Sequence, residues 1–145
     1  MIDLTTFGFG AAGIGNLYTE VTDADAEAAL EAAWEAGVRY FDTAPHYGLG
    51  LSERRLGKFL ADKPRDEYVL STKVGRLLEP VDLPGLDLDN GFAVPRRYQR
   101  VYDYSADGVK RSVESSLDRL GLDRVDILLL HDPDDHWEQA AGEGA

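Results

Sequence analysis

A repeated alternation of helical and extended patterns is the feature that most constrains the fold of this chain. The first helical pattern carries apolar residues at helical spacing, which are Ala26, Ala29, Leu30, Ala33 and Trp34. Thr22 is placed to cap this helix, Asp25 lies at the capping-box spacing, and Gly37 supplies a left-handed stop. Extended segments separate the helices, and we predict strands over residues 5–10, 38–41, 68–72 and 125–130.

The same unit recurs along the chain, which predicts a parallel α/β sheet. Ser52 is placed to cap a second helix and Ser105 a third, and Gly121 ends the third. The proposed core faces of these helices are Leu56, Phe59 and Leu60 in the second, and Val109, Val113, Ser116, Leu117 and Leu120 in the third. A further helix is predicted to begin near Asp135. The strand over residues 125–130 is almost wholly apolar, as is typical of a parallel strand buried on both faces.

Residues 75–104 interrupt this alternation. They contain Pro80, Pro84 and Pro95, and we predict one long loop after the third strand. Loops of this length are usually functional or disordered. Because this loop follows the carboxyl end of a strand, we expect it on the face where parallel α/β proteins place their active sites.

Composition disfavours several classes of function. The chain has 145 residues and is 43% apolar, enough for one domain over residues 1–145 with a buried core. Its formal net charge of −12 disfavours nucleic acid and anionic membranes as partners. Without cysteine, disulfides and thiolate metal sites are excluded. No stretch approaches the roughly 18 apolar residues of a membrane helix, and the first residues do not resemble a signal peptide, so we expect a cytoplasmic protein.

Polar residues stand at the ends of three predicted strands. They are Asp42, Lys73 and His131, and Tyr47 follows Asp42 by five residues. Because the carboxyl ends of parallel strands share one face, we expect these side chains to converge. A phenol can give a proton to a carbonyl that receives hydride, and a neighbouring ammonium favours the phenolate that remains. Asp42 would keep Lys73 charged, and His131 would bind the substrate oxygen.

Three segments resemble motifs of the aldo-keto reductase family. They are GVRYFDTAPHYG over residues 37–48, followed by Ser52-Glu53 and Leu56-Gly57, then STK over 71–73 and LLLH over 128–131. The resemblance implies a (β/α)8 TIM barrel, of which this chain supplies the N-terminal half, with about four parallel strands and their helices. It also implies an oxidoreductase that uses NAD or NADP, with Asp42, Tyr47, Lys73 and His131 as the catalytic tetrad and Tyr47 as the proton donor.

The resemblance implies a cofactor-binding segment as well. In this family the segment equivalent to Gly10, Ala11 and Ala12 runs close to the nicotinamide, and Asp42 adjoins it. A finer similarity covers residues 8–18, the segment 75–104 and residues 131–136, which look like the aldose dehydrogenase branch of the family. That branch oxidises the anomeric carbon of a sugar to a lactone, so the implied substrate is a small sugar or carbonyl compound.

The implied barrel needs about 250 residues, more than the 145 present. We therefore expect a protein that continues past Ala145, or a half-barrel that associates with itself or with another chain, and we expect this segment alone to be inactive. The alternative function is a non-catalytic half-barrel that assembles with a partner chain, because some members of the family are regulatory subunits.

Each candidate residue or motif also has a purely structural interpretation. Taken alone, an Asp in the position of Asp42 is often a turn former, Tyr47 could be a packing aromatic and His131 a structural histidine. We place His46 at the rim of the pocket as a loop residue.

Residues 8–13 match the Gly-x-Gly-x-x-Gly dinucleotide fingerprint, but no helix is predicted before Thr22, which disfavours a Rossmann site. The last candidate is a metal site, and its possible ligands are His131, Asp132, Asp134, Asp135 and His136. A helix cap explains part of this run equally well, and we predict no metal.

Overall fold

Four parallel strands in chain order form the main sheet of the computed structural model, which describes residues 1–143. The strands of the chain are β1 (Phe9–Gly10), β2 (Tyr40–Asp42), β3 (Val69–Val74), β4 (Arg76–Pro80), β5 (Tyr98–Tyr102) and β6 (Ile127–Leu130). The main sheet has the order β1-β2-β3-β6, and β4 pairs with β5 in a separate antiparallel sheet. The helices are α1 (Asp23–Glu35), α2 (Leu51–Leu60), α3 (Ala106–Leu120) and α4 (Trp137–Glu143). The predicted parallel α/β architecture is confirmed.

Two of the three predicted helix caps are present. The Thr22 hydroxyl oxygen accepts a hydrogen bond from the Asp25 amide at 3.1 Å, and the Ser105 oxygen accepts one from the Gly108 amide at 3.0 Å. Gly121 ends α3 in the left-handed region, with φ of 66°. Each cap satisfies a backbone group that the helix end leaves without a partner.

The predicted cap at Ser52 is wrong. Helix α2 begins one residue earlier, at Leu51, and Gly50 occupies the capping position with φ of 88°. Ser52 is fully buried instead, where its hydroxyl donates to the Ala11 carbonyl at 2.7 Å and contacts the Thr43 hydroxyl at 2.8 Å. The sharp turn before α2 therefore directs Ser52 into the core rather than toward the end of the helix.

The prediction of one long loop over residues 75–104 is also wrong in detail. The segment follows β3 as expected, but it contains the antiparallel pair of β4 and β5, and its Phe92 and Val94 form a small core with Leu49. Pro80 ends β4, while Pro84 and Pro95 lie outside both strands. Prolines in these positions leave the interior of the strand ladder intact, so their presence did not argue against strands.

The main core lies between the sheet and helices α1 and α2. Its fully buried side chains include Leu30, Phe41, Leu56, Leu60 and Leu70. Among residues 1–143, no helix is long and apolar enough to cross a bilayer.

The predicted core face of α3 is confirmed in part: Ser116 and Leu120 are buried, whereas Val109, Val113 and Leu117 are half-buried. The apolar run of β6 is not buried on both faces as predicted. The buried face of α3 consists of Gly108, Ser112, Ser116 and Leu120. Within the described residues β6 is one of the two edge strands of the main sheet, and Leu128, Leu129 and Leu130 are 44%, 41% and 54% exposed. Burial of a strand depends on the elements that cover it, and an apolar run by itself does not supply them.

Close approach of α2 and α3 requires a glycine at position 57. A Cβ atom there would lie 1.9 Å from the Leu120 carbonyl oxygen, which belongs to rigid backbone. We expect Gly57→Ala to lower the free energy of unfolding by about 1–3 kcal/mol, because the two helices must separate. Chemical denaturation measures this change.

The control for this prediction is Gly142→Ala in α4, where an added Cβ would meet no atom within 4 Å. Alanine favours a helix over glycine by about 1 kcal/mol, so this substitution should leave stability unchanged or raise it. Equal effects at the two positions would contradict the packing argument.

Candidate active site

Asp42 and Lys73 form an ion pair at the carboxyl ends of β2 and β3. The Lys73 Nζ donates to Asp42 Oδ2 at 2.6 Å and to the Thr43 carbonyl at 3.1 Å. Asp42 Oδ1 accepts a second hydrogen bond, at 2.6 Å, from the hydroxyl of Ser71. Both charged side chains are largely buried, with 13% of Lys73 and 26% of Asp42 exposed. A buried ammonium is costly without a partner, and the carboxylate supplies that partner and fixes the position of the Lys73 side chain.

Strand register explains this pairing. Asp42 lies opposite Ser71, and Lys73 follows two residues later on the same face of β3. The Ser71 hydroxyl, having donated to Asp42, accepts from the Tyr40 hydroxyl at 2.9 Å. The carboxylate is thus held from one side by an ammonium and from the other by a chain of hydroxyl groups.

Tyr47 lies on the turn between β2 and α2, directly beside this pair. The Lys73 Nζ is 5.1 Å from the centre of the Tyr47 ring. The turn is shaped at Gly48, which has φ of 66°, and a Cβ atom there would lie 2.2 Å from the Gly15 carbonyl oxygen. Only glycine fits this backbone contact, so the 3₁₀ helix over Gly13–Gly15 sets the path of the turn and the position of Tyr47.

His131 follows β6 and is 5% exposed. Its amide donates to the Val74 carbonyl at 3.0 Å, and its ring centre lies 5.9 Å from that of Tyr47. Burial, and then the positive charges of Arg76, Lys73 and Arg100, lower the pKa of His131 to about 3. The imidazole is therefore neutral near pH 7, and its Nδ1 atom is buried without a hydrogen-bond partner among residues 1–143.

The structure thus brings together all four predicted catalytic residues. Asp42 and Tyr47 come from one segment and Lys73 and His131 from two others, and the four side chains meet at the carboxyl ends of the parallel strands. The arrangement supplies a phenol, an ammonium beside it and a neutral imidazole, which suits proton exchange with an oxygen atom.

The predicted cofactor-binding stretch is only partly accessible. Gly10 ends β1 opposite Asp42, it is exposed, and an added Cβ would meet no atom within 4 Å. Ala12 is half-buried. Ala11 is 0% exposed, its amide donates to the Asp42 carbonyl at 2.9 Å, and its own carbonyl binds Ser52. Contact between Ala11 and a cofactor therefore stays a prediction, and in this structure the residue packs into the core.

Two of the side chains considered above as possible metal ligands have other partners. Asp132 accepts from an Arg76 nitrogen at 2.9 Å, and the His136 ring lies 3.8 Å from that of Tyr102. Across the described part of the chain, no group of three or more His, Cys, Asp or Glu side chains is arranged to hold a metal ion. The glycine fingerprint over residues 8–13 leads into the short 3₁₀ helix, and α1 begins only at Asp23, which is not the geometry of a Rossmann site.

Sequence reasoning missed three residues of the segment 75–104. Arg76 pairs with Asp132, the residue after His131, and its charge acts on His131, while Arg100 and Asp87 form a buried ion pair beside His46. Their only sequence signal is charge within a segment that seemed irregular. Their roles become visible when β4 and β5 pair.

Comparison with known proteins decides the family. The sequence profile described as "Aldo/keto reductase family" matches residues 6–142. The chain belongs to the aldo-keto reductase family. Its fold is accordingly part of the family's β/α barrel, with the catalytic-type residues at the carboxyl ends of the strands.

Three curated relatives illustrate the similarity. The chain is 56% identical to D-threo-aldose 1-dehydrogenase of Pseudomonas sp, over 92% of this chain and 41% of that protein. It is 45% identical to pyridoxal 4-dehydrogenase of Microbacterium luteolum, with 90% and 40% covered, and 37% identical to L-galactose dehydrogenase of Arabidopsis thaliana, with 90% and 35% covered. The chain thus spans about two fifths of the length of these relatives.

Solved structures agree with this family. An aldo-keto reductase of Bacillus halodurans in its holo form matches with a TM-score of 0.68 and 27% identity, covering 97% of this chain and 41% of that one. An aldo-keto reductase of Klebsiella pneumoniae in complex with NADPH matches with a TM-score of 0.61 and 26% identity, covering 88% and 35%.

Two neutral histidines at this site predict how stability depends on pH. Burial and neighbouring arginines lower the pKa of His46 to about 3 as well as that of His131. The unfolded chain binds these protons near about pH 6.5 and the folded chain does not, so the free energy of unfolding should fall as pH decreases from about 6.5 toward 3. Denaturation at several pH values measures this fall, and His131→Gln should remove one proton's share of the slope.

Imidazole NMR gives an independent measurement. The His46 and His131 resonances should not titrate between pH 8 and pH 5 in the folded protein, whereas both should titrate near about 6.5 in urea. Titration of either folded ring near 6.5 would contradict the assignment of a neutral ring.

Proposed function

We propose that the protein is an NAD- or NADP-dependent oxidoreductase that interconverts a lactol and a lactone, or an alcohol and a carbonyl, and that its substrate is an aldose. One observation carries the proposal. The Lys73 ammonium is held by Asp42 at 2.6 Å and lies 5.1 Å from the ring of Tyr47. The 56% identity to an aldose 1-dehydrogenase supports the choice of a sugar.

The proton moves through Tyr47 in this proposal. In the oxidation, the Tyr47 phenolate takes the proton from the hydroxyl on the anomeric carbon while that carbon loses its hydrogen with the bonding electron pair, and a carbon–oxygen double bond forms. In the reduction, the Tyr47 phenol returns the proton to the carbonyl oxygen. The ammonium of Lys73 stabilises the phenolate in both directions, because opposite charges attract more strongly where water is largely excluded.

His131 binds the same oxygen in this proposal. A neutral imidazole donates a hydrogen bond through a protonated ring nitrogen, which stabilises negative charge that develops on the reacting oxygen. Burial lowers the pKa of His131, and the positive charges of Arg76, Lys73 and Arg100 lower it further, so the protonated form is disfavoured. The ring therefore serves as an orienting donor, and Tyr47 remains the residue that exchanges the proton.

The residues of β1 fit the nicotinamide end of a dinucleotide. Gly10 is exposed, nothing occupies the space where a side chain would stand, and Asp42 is its partner in the neighbouring strand. A planar ring needs a flat, open backbone surface of this kind. When bound, NAD or NADP would accept or supply the hydride; Gly10 and Ala12 would contact it, and Asp42 would adjoin it. Relatives of known structure, one of them an NADPH complex, support this choice.

A second candidate function is a non-catalytic half-barrel that assembles with a partner chain. In that function the partner would cover Leu128, Leu129 and Leu130, which are exposed along β6 in the part of the barrel that this chain spans. Catalysis on a small-molecule substrate remains the first proposal. Assembly with a partner chain would not require the Lys73 ammonium to be buried beside the Tyr47 phenol. The test below separates the two.

Tyr47→Phe removes the proton donor and keeps the ring. In the complete protein we expect kcat/KM for an aldose to fall by about 10²–10⁴-fold, while NAD or NADP still binds, because proton transfer and not cofactor contact is lost. Absorbance of the reduced nicotinamide measures turnover, and fluorescence titration measures cofactor binding.

Tyr68→Phe is the matched control. Tyr68 precedes β3, at the opposite end of the strand from Lys73, and its buried hydroxyl has no hydrogen-bond partner among residues 1–143. Its loss should change turnover little. Near-normal turnover in Tyr47→Phe would refute the assignment of Tyr47, and a folded wild-type protein that oxidises or reduces no sugar or carbonyl compound would favour the half-barrel function.

A further inference from the structure

A buried ion pair within the segment 75–104 lies beside the proposed active site. The guanidinium of Arg100, in β5, donates to both carboxylate oxygens of Asp87, at 2.6 Å and 3.1 Å. Only 8% of the Arg100 side chain and 6% of the Asp87 side chain are exposed. Such a two-point contact fixes the plane of the guanidinium, and therefore the direction of its remaining donors.

Those remaining donors of Arg100 bind His46. The Arg100 Nε donates to His46 Nδ1 at 2.6 Å, and an Arg100 terminal nitrogen donates to the His46 carbonyl at 3.0 Å. The edge of Phe92, from the same segment, packs against the imidazole with the ring centres 5.2 Å apart. Because arginine has no acceptor and stays protonated, Nδ1 must be the acceptor, and a neutral His46 carries its proton on Nε2.

His46 adjoins the catalytic-type side chains. Its ring centre lies 5.2 Å from that of His131 and 6.2 Å from that of Tyr47. His46 is half-buried. Among the described residues its Nε2 atom has no hydrogen-bond partner, and this atom is not one of the fully buried polar atoms without a partner. The structure thus presents one uncharged, oriented N–H donor beside Tyr47 and His131.

We propose that His46 determines substrate specificity: its Nε2–H donates a hydrogen bond to the hydroxyl on the carbon next to the reacting carbon of a sugar. Arg100 and Asp87 are positioning residues that fix the ring and its tautomer. This inference rests on the function proposed above and names the part of the substrate that the site reads. An uncharged donor suits a polyhydroxylated neutral substrate, whereas a carboxylate or phosphate would be served better by a free cation.

The test compares an aldose with its 2-deoxy counterpart in the complete protein. With His46→Phe, which keeps an aromatic ring and removes the donor, the ratio of kcat/KM between aldose and 2-deoxy aldose should fall by about 5- to 15-fold, mostly through KM for the aldose. His46→Gln places an amide N–H near the former Nε2 and should restore most of that ratio. An unchanged ratio in His46→Phe would overturn the proposal.

Arg100→Lys tests the positioning role. Lysine keeps the charge beside Asp87 but lacks the planar fork that reaches His46, so we expect the same ratio of kcat/KM to fall as in His46→Phe. The control is Arg96→Lys in the same segment. Arg96 is not one of the hydrogen-bond partners of His46 described above, so this variant should keep the wild-type ratio. Equal ratios in the two lysine variants would overturn the role of Arg100.

Nitrogen NMR of the labelled imidazole separates this inference from the proposed function. The wild-type His46 ring should show the Nε2–H tautomer, and Arg100→Lys should show a mixture of tautomers. This result requires no turnover, so a protein with the expected tautomer and no sugar activity would refute the function and leave the geometry intact. A wild-type ring protonated at Nδ1 would refute the inference itself.

Discussion

The ion pair between Lys73 and Asp42 is the interaction on which the rest of the site depends. The Lys73 side chain is 13% exposed, so its ammonium needs a partner, and the register of β2 and β3 supplies Asp42 at 2.6 Å. The Thr43 carbonyl and the Ser71 hydroxyl satisfy the remaining polar groups of the pair. The pair also fixes a positive charge beside Tyr47, and a phenol next to such a charge is suited to exchange a proton.

Two contacts distant in sequence hold the turn that carries Tyr47. On one side the backbone of Gly48 touches that of Gly15 so closely that no Cβ fits. On the other side Arg100 donates hydrogen bonds to Nδ1 and to the carbonyl oxygen of His46, the residue that precedes Tyr47. The turn is therefore clamped between the segment after β1 and the segment after β3, which makes the geometry of the site a property of three separated parts of the chain.

Much of the architecture could be predicted from local patterns. The capping geometry of Thr22 and Ser105 involves residues within one turn of helix, and the strands were recognisable from short apolar runs. The pairing within residues 75–104 was not recognisable, because β4 and β5 depend on each other across a connection that contains prolines. The role of Ser52 was mistaken for a related reason: its neighbours in sequence suggest a cap, and its partners Ala11 and Thr43 lie in other segments.

The sequence by itself determined which residues follow each strand, the parallel order of the strands and the identity of the four side chains at their carboxyl ends. These follow from periodicity and from motifs that span a few residues. Only the tertiary structure decided that Ala11 is buried and that Arg100 and Asp87 pair beside His46. Burial and desolvated ion pairs depend on segments far apart in the chain coming into contact, and no local pattern records which segments will meet.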